Sequence, residues 1–67
     1  MTITLNNNCE SFAEEKLTVS QLLKVKNFTF RMLVIKINGH LVRKSAYENT
    51  EIREGDDVMV LHLVSGG

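Results

Sequence analysis

The sequence predicts an α+β domain: a mixed sheet of about five strands with one main helix packed on one face. Three observations lead there. Asn38-Gly39 separates a β-branched and aromatic run, Phe30 to Ile37, from Leu41-Val42, and a two-residue Asn-Gly loop is the strongest short-range hairpin signal because both positions need positive φ. Thr18 and Gln21 stand three apart before a short apolar-periodic segment, the pattern of a capping box. Val58 to Val64 is the most continuously apolar stretch, as expected of a strand in the middle of a sheet.

Taken in order, Thr2-Ile3-Thr4-Leu5 alternates polar and apolar at the period of a half-buried strand. Asn6-Asn7-Asn8 suits positive φ and tight turning, so Cys9 to Ala13 returns as the second arm of a hairpin. The helix runs from about Val19 to Val25, with Val19, Leu22 and Leu23 on one stripe that faces the core. After the Asn-Gly hairpin, Ser45 to Asn49 reads as loop or a short helical turn, and Glu54-Gly55-Asp56-Asp57 turns the chain into the last strand. The order strand, strand, helix, strand, strand, strand places that last strand beside the first, with the helix crossing between two hairpins. This is the β-grasp arrangement, the fold of ubiquitin.

Lys36 sets the phase of the third strand, because a lone ammonium is too costly to bury. Leu33, Ile35 and Ile37 then face the helix, and Met32 and Val34 share the opposite face with Lys36. In the last strand the β-branched pair Val58 and Val60 suits the packed side. Met59, Leu61 and Leu63 then join Met32 and Val34 in an exposed apolar patch, read as a partner-binding face, the alternative being that these residues pack under a loop.

Composition narrows the function. The chain has 67 residues, 43% hydrophobic and 24% charged, which fits one ordered domain over residues 1–67 and no deep cofactor cavity. Eight basic and eight acidic side chains cancel, so no basic field exists to hold nucleic acid or an anionic membrane. One cysteine makes no internal bridge, which points to a reducing compartment, the cytoplasm. No signal-like or membrane-length apolar segment is visible. Cys9, His40 and His62 are the nucleophile and base candidates, but Cys9 and His40 belong to different hairpins and no metal-ligand spacing is present. All three are read as surface or structural residues, with no catalytic residue and no metal site.

The C-terminal end is different. Gly66 and Gly67 pack nothing and favour disorder, so Ser65 to Gly67 is expected to be a flexible tail. Without Cβ atoms this tail threads a channel too narrow for other residues, and fully extended it reaches about 10 Å. Its α-carboxylate, ionised at neutral pH, can attack the α-phosphate of ATP in a partner's active site.

These residues resemble the ThiS-type sulfur carriers of thiamine biosynthesis, which are similar in fold to ubiquitin and to the small subunit of molybdopterin synthase. The resemblance covers the whole chain and is most specific over Asn38 to Tyr47, Glu54 to Val58 and Gly66-Gly67, with Thr18-Val19 and Leu22-Leu23 matching the start of the family's helix. Arg43 stands where the family usually has proline, and Val64-Ser65-Gly66-Gly67 is equally like the molybdopterin-synthase subunit. The resemblance implies a substrate protein that binds no cofactor of its own. A ubiquitin-activator-like adenylyltransferase would use ATP to adenylate Gly67, a sulfur donor such as cysteine desulfurase would supply the thiocarboxylate sulfur, and thiazole synthase would take it. Alternatives are another thiocarboxylate carrier, the molybdopterin-synthase small subunit among them, or a ubiquitin-like protein modifier that would leave conjugates on lysines.

Overall fold

The computed structural model describes residues 1–29 and 32–62. Along them run β1 (Thr2–Leu5), β2 (Asn8–Ser11), β3 (Lys16–Thr18), α1 (Val19–Val25), β4 (Leu33–Ile37), β5 (His40–Val42), a 3-10 turn (Lys44–Ala46), β6 (Glu51–Arg53) and β7 (Asp57–His62). Five strands form one sheet in the order β2-β1-β7-β4-β5, and β3 pairs with β6 in a separate ribbon. β7 lies at the centre, parallel to β1 and antiparallel to β4.

Turn chemistry explains the hairpins. Asn6 and Asn7 have φ of 50° and 68°, and Asn38 and Gly39 have 51° and 83°, the positive values that match a two-residue loop to the right-handed twist of its strands. The Asn6 side chain does more. β1 ends at Leu5, yet the Asn6 amide accepts from the Val60 N–H at 2.8 Å and donates to the Val60 carbonyl at 3.1 Å. A side chain thus extends the β1–β7 ladder by one rung. At the other end of β7, Asn38 Oδ1 accepts from the Asp57 N–H, and Asn38 Nδ2 donates to Asp56 Oδ1.

The helix is closed at both ends by local bonds. Thr18 Oγ1 accepts from the Gln21 N–H and Gln21 Oε1 from the Thr18 N–H, the predicted capping box. Two more orphan amides, those of Val19 and Ser20, donate to the carbonyls of Thr50 and Tyr47, so the loop before β6 completes the cap. At the C-terminal end Asn27 takes φ of 58°, with Asn27 N–H bonded to the Lys24 carbonyl and Phe28 N–H to the Leu23 carbonyl. That is a Schellman motif with asparagine in the left-handed position.

The β3–β6 ribbon departs from the sequence expectation, which left Lys16 to Thr18 and Glu51 to Arg53 without regular structure. Each is three residues long, too short to show a period, and they pair only because the fold brings them together. Leu17 and Ile52 face each other across the ribbon and are buried. Outside, Glu51 bonds Arg53 at 2.7 Å and Lys16 at 3.1 Å. Smaller differences lie at element ends: β2 starts at Asn8 and stops at Ser11, and β4 starts at Leu33. Phe30 and the predicted strand residues Leu63 and Val64 lie outside the described residues.

The core lies between α1 and one face of the large sheet. Ile3 and Leu5 of β1, Ile35 of β4 and Val58 and Val60 of β7 meet Val19 and Leu22 of the helix, all buried. Leu23, Leu33 and Ile37 pack half-buried around them. The strand phases read from Lys36 and from the Val58/Val60 pair are those observed.

Candidate functional site

Register determines which side chains share the uncovered face of the sheet. Ile35 pairs with Val60 on the core side, so the alternate pairs Val34 with Leu61 and Lys36 with Met59 point outward. Leu61 is 43% exposed, Met32 just before β4 is 51% exposed, and Val34 and Met59 are half-buried by their neighbours on the strands. Four of the five residues assigned to the partner-binding face therefore form one apolar surface. The fifth, Leu63, lies outside the described residues, as do the tail residues Ser65, Gly66 and Gly67.

One residue of this face escaped the sequence reading. Leu41 pairs with Lys36 and is 61% exposed, so it extends the apolar surface onto β5. The signal was present, because a two-residue hairpin at Asn38-Gly39 forces Lys36 opposite Leu41 and hence onto the same face.

Met32, Val34 and Leu41 also border a groove of about 670 Å³. Its other walls are Leu23 and Phe28 from the Schellman end of α1, Leu33 and Val42 from the strands, and Arg43, Lys44 and Tyr47 beyond β5. The Phe28 and Leu23 positions are those joined by the Schellman bond, which brings both side chains to the groove together.

The titratable candidates are dispersed. Cys9 on β2 and His40 on β5 occupy opposite edges of the large sheet, with β1, β7 and β4 between them, so the pair makes no nucleophile–base contact. His62 ends the described part of β7. Among the described residues no group of His, Cys, Asp and Glu is arranged to hold a metal ion. None of their helices is long and apolar enough to cross a membrane.

A mixed sheet with parallel first and last strands at its centre, crossed by one helix, defines a β-grasp domain, here with an apolar face beside the end of its central strand. The family model of the ThiS family matches residues 3–67, and the chain belongs to that family. The crystal structure of the thiamine biosynthesis protein ThiS from Geobacter metallireducens is similar at a TM-score of 0.90, with 26% identity and 100% of each chain covered. A solution NMR structure of a thiamine biosynthesis protein from the same organism gives 0.81 and 26%, covering 100% of this chain and 88% of that one. No curated protein sequence matches.

Proposed function

We propose that this chain is a sulfur carrier of thiamine biosynthesis, carrying its cargo as a thiocarboxylate on Gly67. The observation that carries the reading is a family match extending through residue 67 in a domain whose central strand leads toward the Gly-Gly terminus beside an apolar face. In this scheme Met32, Val34, Met59, Leu61 and Leu63, with Leu41 added, dock the domain on an adenylating enzyme and later on the sulfur acceptor, a thiazole synthase. Ser65 and Gly66 form the tether.

The chemistry follows from the terminus. The Gly67 carboxylate oxygen attacks the α-phosphate of ATP and pyrophosphate leaves, giving an acyl-adenylate. The outer sulfur of a donor persulfide, such as that of a cysteine desulfurase, then adds to the acyl carbon and displaces AMP, and a partner thiol cleaves the resulting acyl disulfide, which leaves the thiocarboxylate on Gly67 and a disulfide on the donor side. The adenylate makes a good leaving group of an oxygen that free carboxylate would not release. The carrier supplies only the tether and the docking surface, so it acts as the substrate of its partners in the cytoplasm.

Intact-mass measurement after incubation with the activating enzyme, ATP and a sulfur donor tests this directly. One oxygen is replaced by sulfur, and fragmentation places the change on Gly67. Sulfur found on Cys9 as a persulfide, with Gly67 unchanged, would overturn the scheme.

A further inference from the structure

We infer that the groove between the end of α1 and the β4–β5 edge is a second docking site, one that takes an extended, apolar segment of a partner protein bearing carboxylates. Three independent features of the groove define that occupant. The first is a strand edge left open among the described residues. β4 pairs with β7 along all of Leu33 to Ile37 but with β5 only at Ile35 to Ile37, because β5 ends at Val42 and the chain then turns at Lys44–Ala46.

The phase of the hydrogen bonds says which groups that leaves. Ile37 and His40 flank the two-residue turn and exchange backbone bonds, so by the period of two Ile35 and Leu33 direct their N–H and C=O to the same edge. Asn38, in the opposite phase, donates to the Asp57 carbonyl on β7 at 2.7 Å, which fixes this assignment. Among the described residues β5 offers Leu33 no partner there. An added strand would bond Leu33 and lay alternate side chains into the groove.

The second feature is the floor. Leu23, Phe28, Leu33 and Tyr47 are each half-buried and present apolar surface for those side chains. The third is charge. Arg43 and Lys44 are exposed at the wall, and among the described residues neither has an ion-pair partner and no acidic side chain lines the groove. Charge complementarity therefore calls for carboxylates on the incoming segment.

The backbone at Arg43 provides a clean variant. Its φ of −79° lies within the range a proline ring adopts, about −65 ± 15°, it follows a strand residue, and in the phase above its N–H points away from β4. Arg43→Pro therefore keeps the fold and deletes the charge. The probe is an acetylated, amidated peptide, Val-Asp-Val-Asp-Val-Asp, titrated into the full chain and followed by amide NMR and hydrogen exchange. Expected are shifts at Leu23, Phe28 and Tyr47 and slowed exchange of the Leu33 amide, while the Val34 amide, already turned toward β7, keeps its rate. Arg43→Pro with Lys44→Gln should weaken binding about fivefold to tenfold, the scale of two exposed ion pairs, with an unchanged melting curve. Equal binding of an uncharged control peptide, Val-Asn-Val-Asn-Val-Asn with the same end groups, unslowed Leu33 exchange, or shifts confined to Met59 and Leu61 would each overturn the inference. Contacts from residues 63–67 to Leu23 and Tyr47 in the free protein would replace the partner by the chain's own end, and concentration-dependent shifts there would replace it by a second copy.

Discussion

At the scale of single residues, two positions on β7 separate the core from the exposed apolar face. Val60 is 7% exposed among the buried residues, whereas its neighbour Leu61 is 43% exposed on the other side of the sheet. Val60→Ala should destabilise by about 1–3 kcal/mol in urea unfolding, as buried methyl groups are lost. Leu61→Asp should leave unfolding nearly unchanged and abolish adenylation by the activating enzyme. A Leu61→Asp chain that adenylates normally removes this face from the docking scheme. Asn6 offers a second comparison, since it and Asn7 both adopt positive φ but only Asn6 clamps Val60. Asn6→Gly should cost about 1–3 kcal/mol through the two part-buried Val60 groups left unpaired, and Asn7→Gly should be near neutral. Equal effects at the two positions would assign the cost to the turn backbone.

At the scale of elements, the seven-residue helix is too short to persist alone and depends on its caps and its buried stripe. Thr18→Ala removes one side of the capping box and should lower stability by about 1 kcal/mol, read from the denaturant midpoint. The β3–β6 ribbon carries the pH-dependent contact. Bonds from Arg53 and then Lys16 hold the Glu51 carboxyl below its usual value, so its contribution is present above the unfolded carboxylate pKa. That contribution is lost as pH falls through the lower, folded value. Glu51→Gln should therefore lower stability slightly at neutral pH and converge with the parent protein at acid pH, which flattens the acid-side decline, and the neutral-pH difference should shrink in high salt because the pair is at the surface. An identical acid-side slope in both proteins would show that this trio is not coupled to folding.

For the whole molecule, the proposed carrier role requires the Gly67 carboxylate to lie at one fixed distance from the apolar face, a distance that the number of residues after β7 would set. Each residue adds about 3.5 Å, more than an in-line attack on phosphorus tolerates. Deleting Gly67 should abolish ATP–pyrophosphate exchange with the activating enzyme and leave the melting temperature unchanged. Exchange that survives the deletion would mean the terminus is not the activated group.

How much of this was legible beforehand depends on the range of the interaction that decides it. Asn38-Gly39 and the Thr18–Gln21 box act within four residues, so their chemistry is written in local sequence and they form as read, and the turn read at Asn6 to Asn8 forms at Asn6-Asn7 with Asn8 already in β2. Lys36 carried enough desolvation penalty to set the phase of β4 and put Val34 on the outer face, the Val58 and Val60 pair put Met59 and Leu61 there, and Leu41 was missed although the hairpin register implies it. The β3–β6 ribbon, the Asn6 clamp on Val60 and the loop carbonyls that cap α1 join residues up to 54 apart. No local pattern encodes such pairings, because each becomes favourable only after the hydrophobic core has brought its partners together. The groove is of the same kind. Its residues come from the helix end, two strands and the loop beyond them, and it exists because β5 stops two residues short of the start of β4, a mismatch that only the assembled sheet contains.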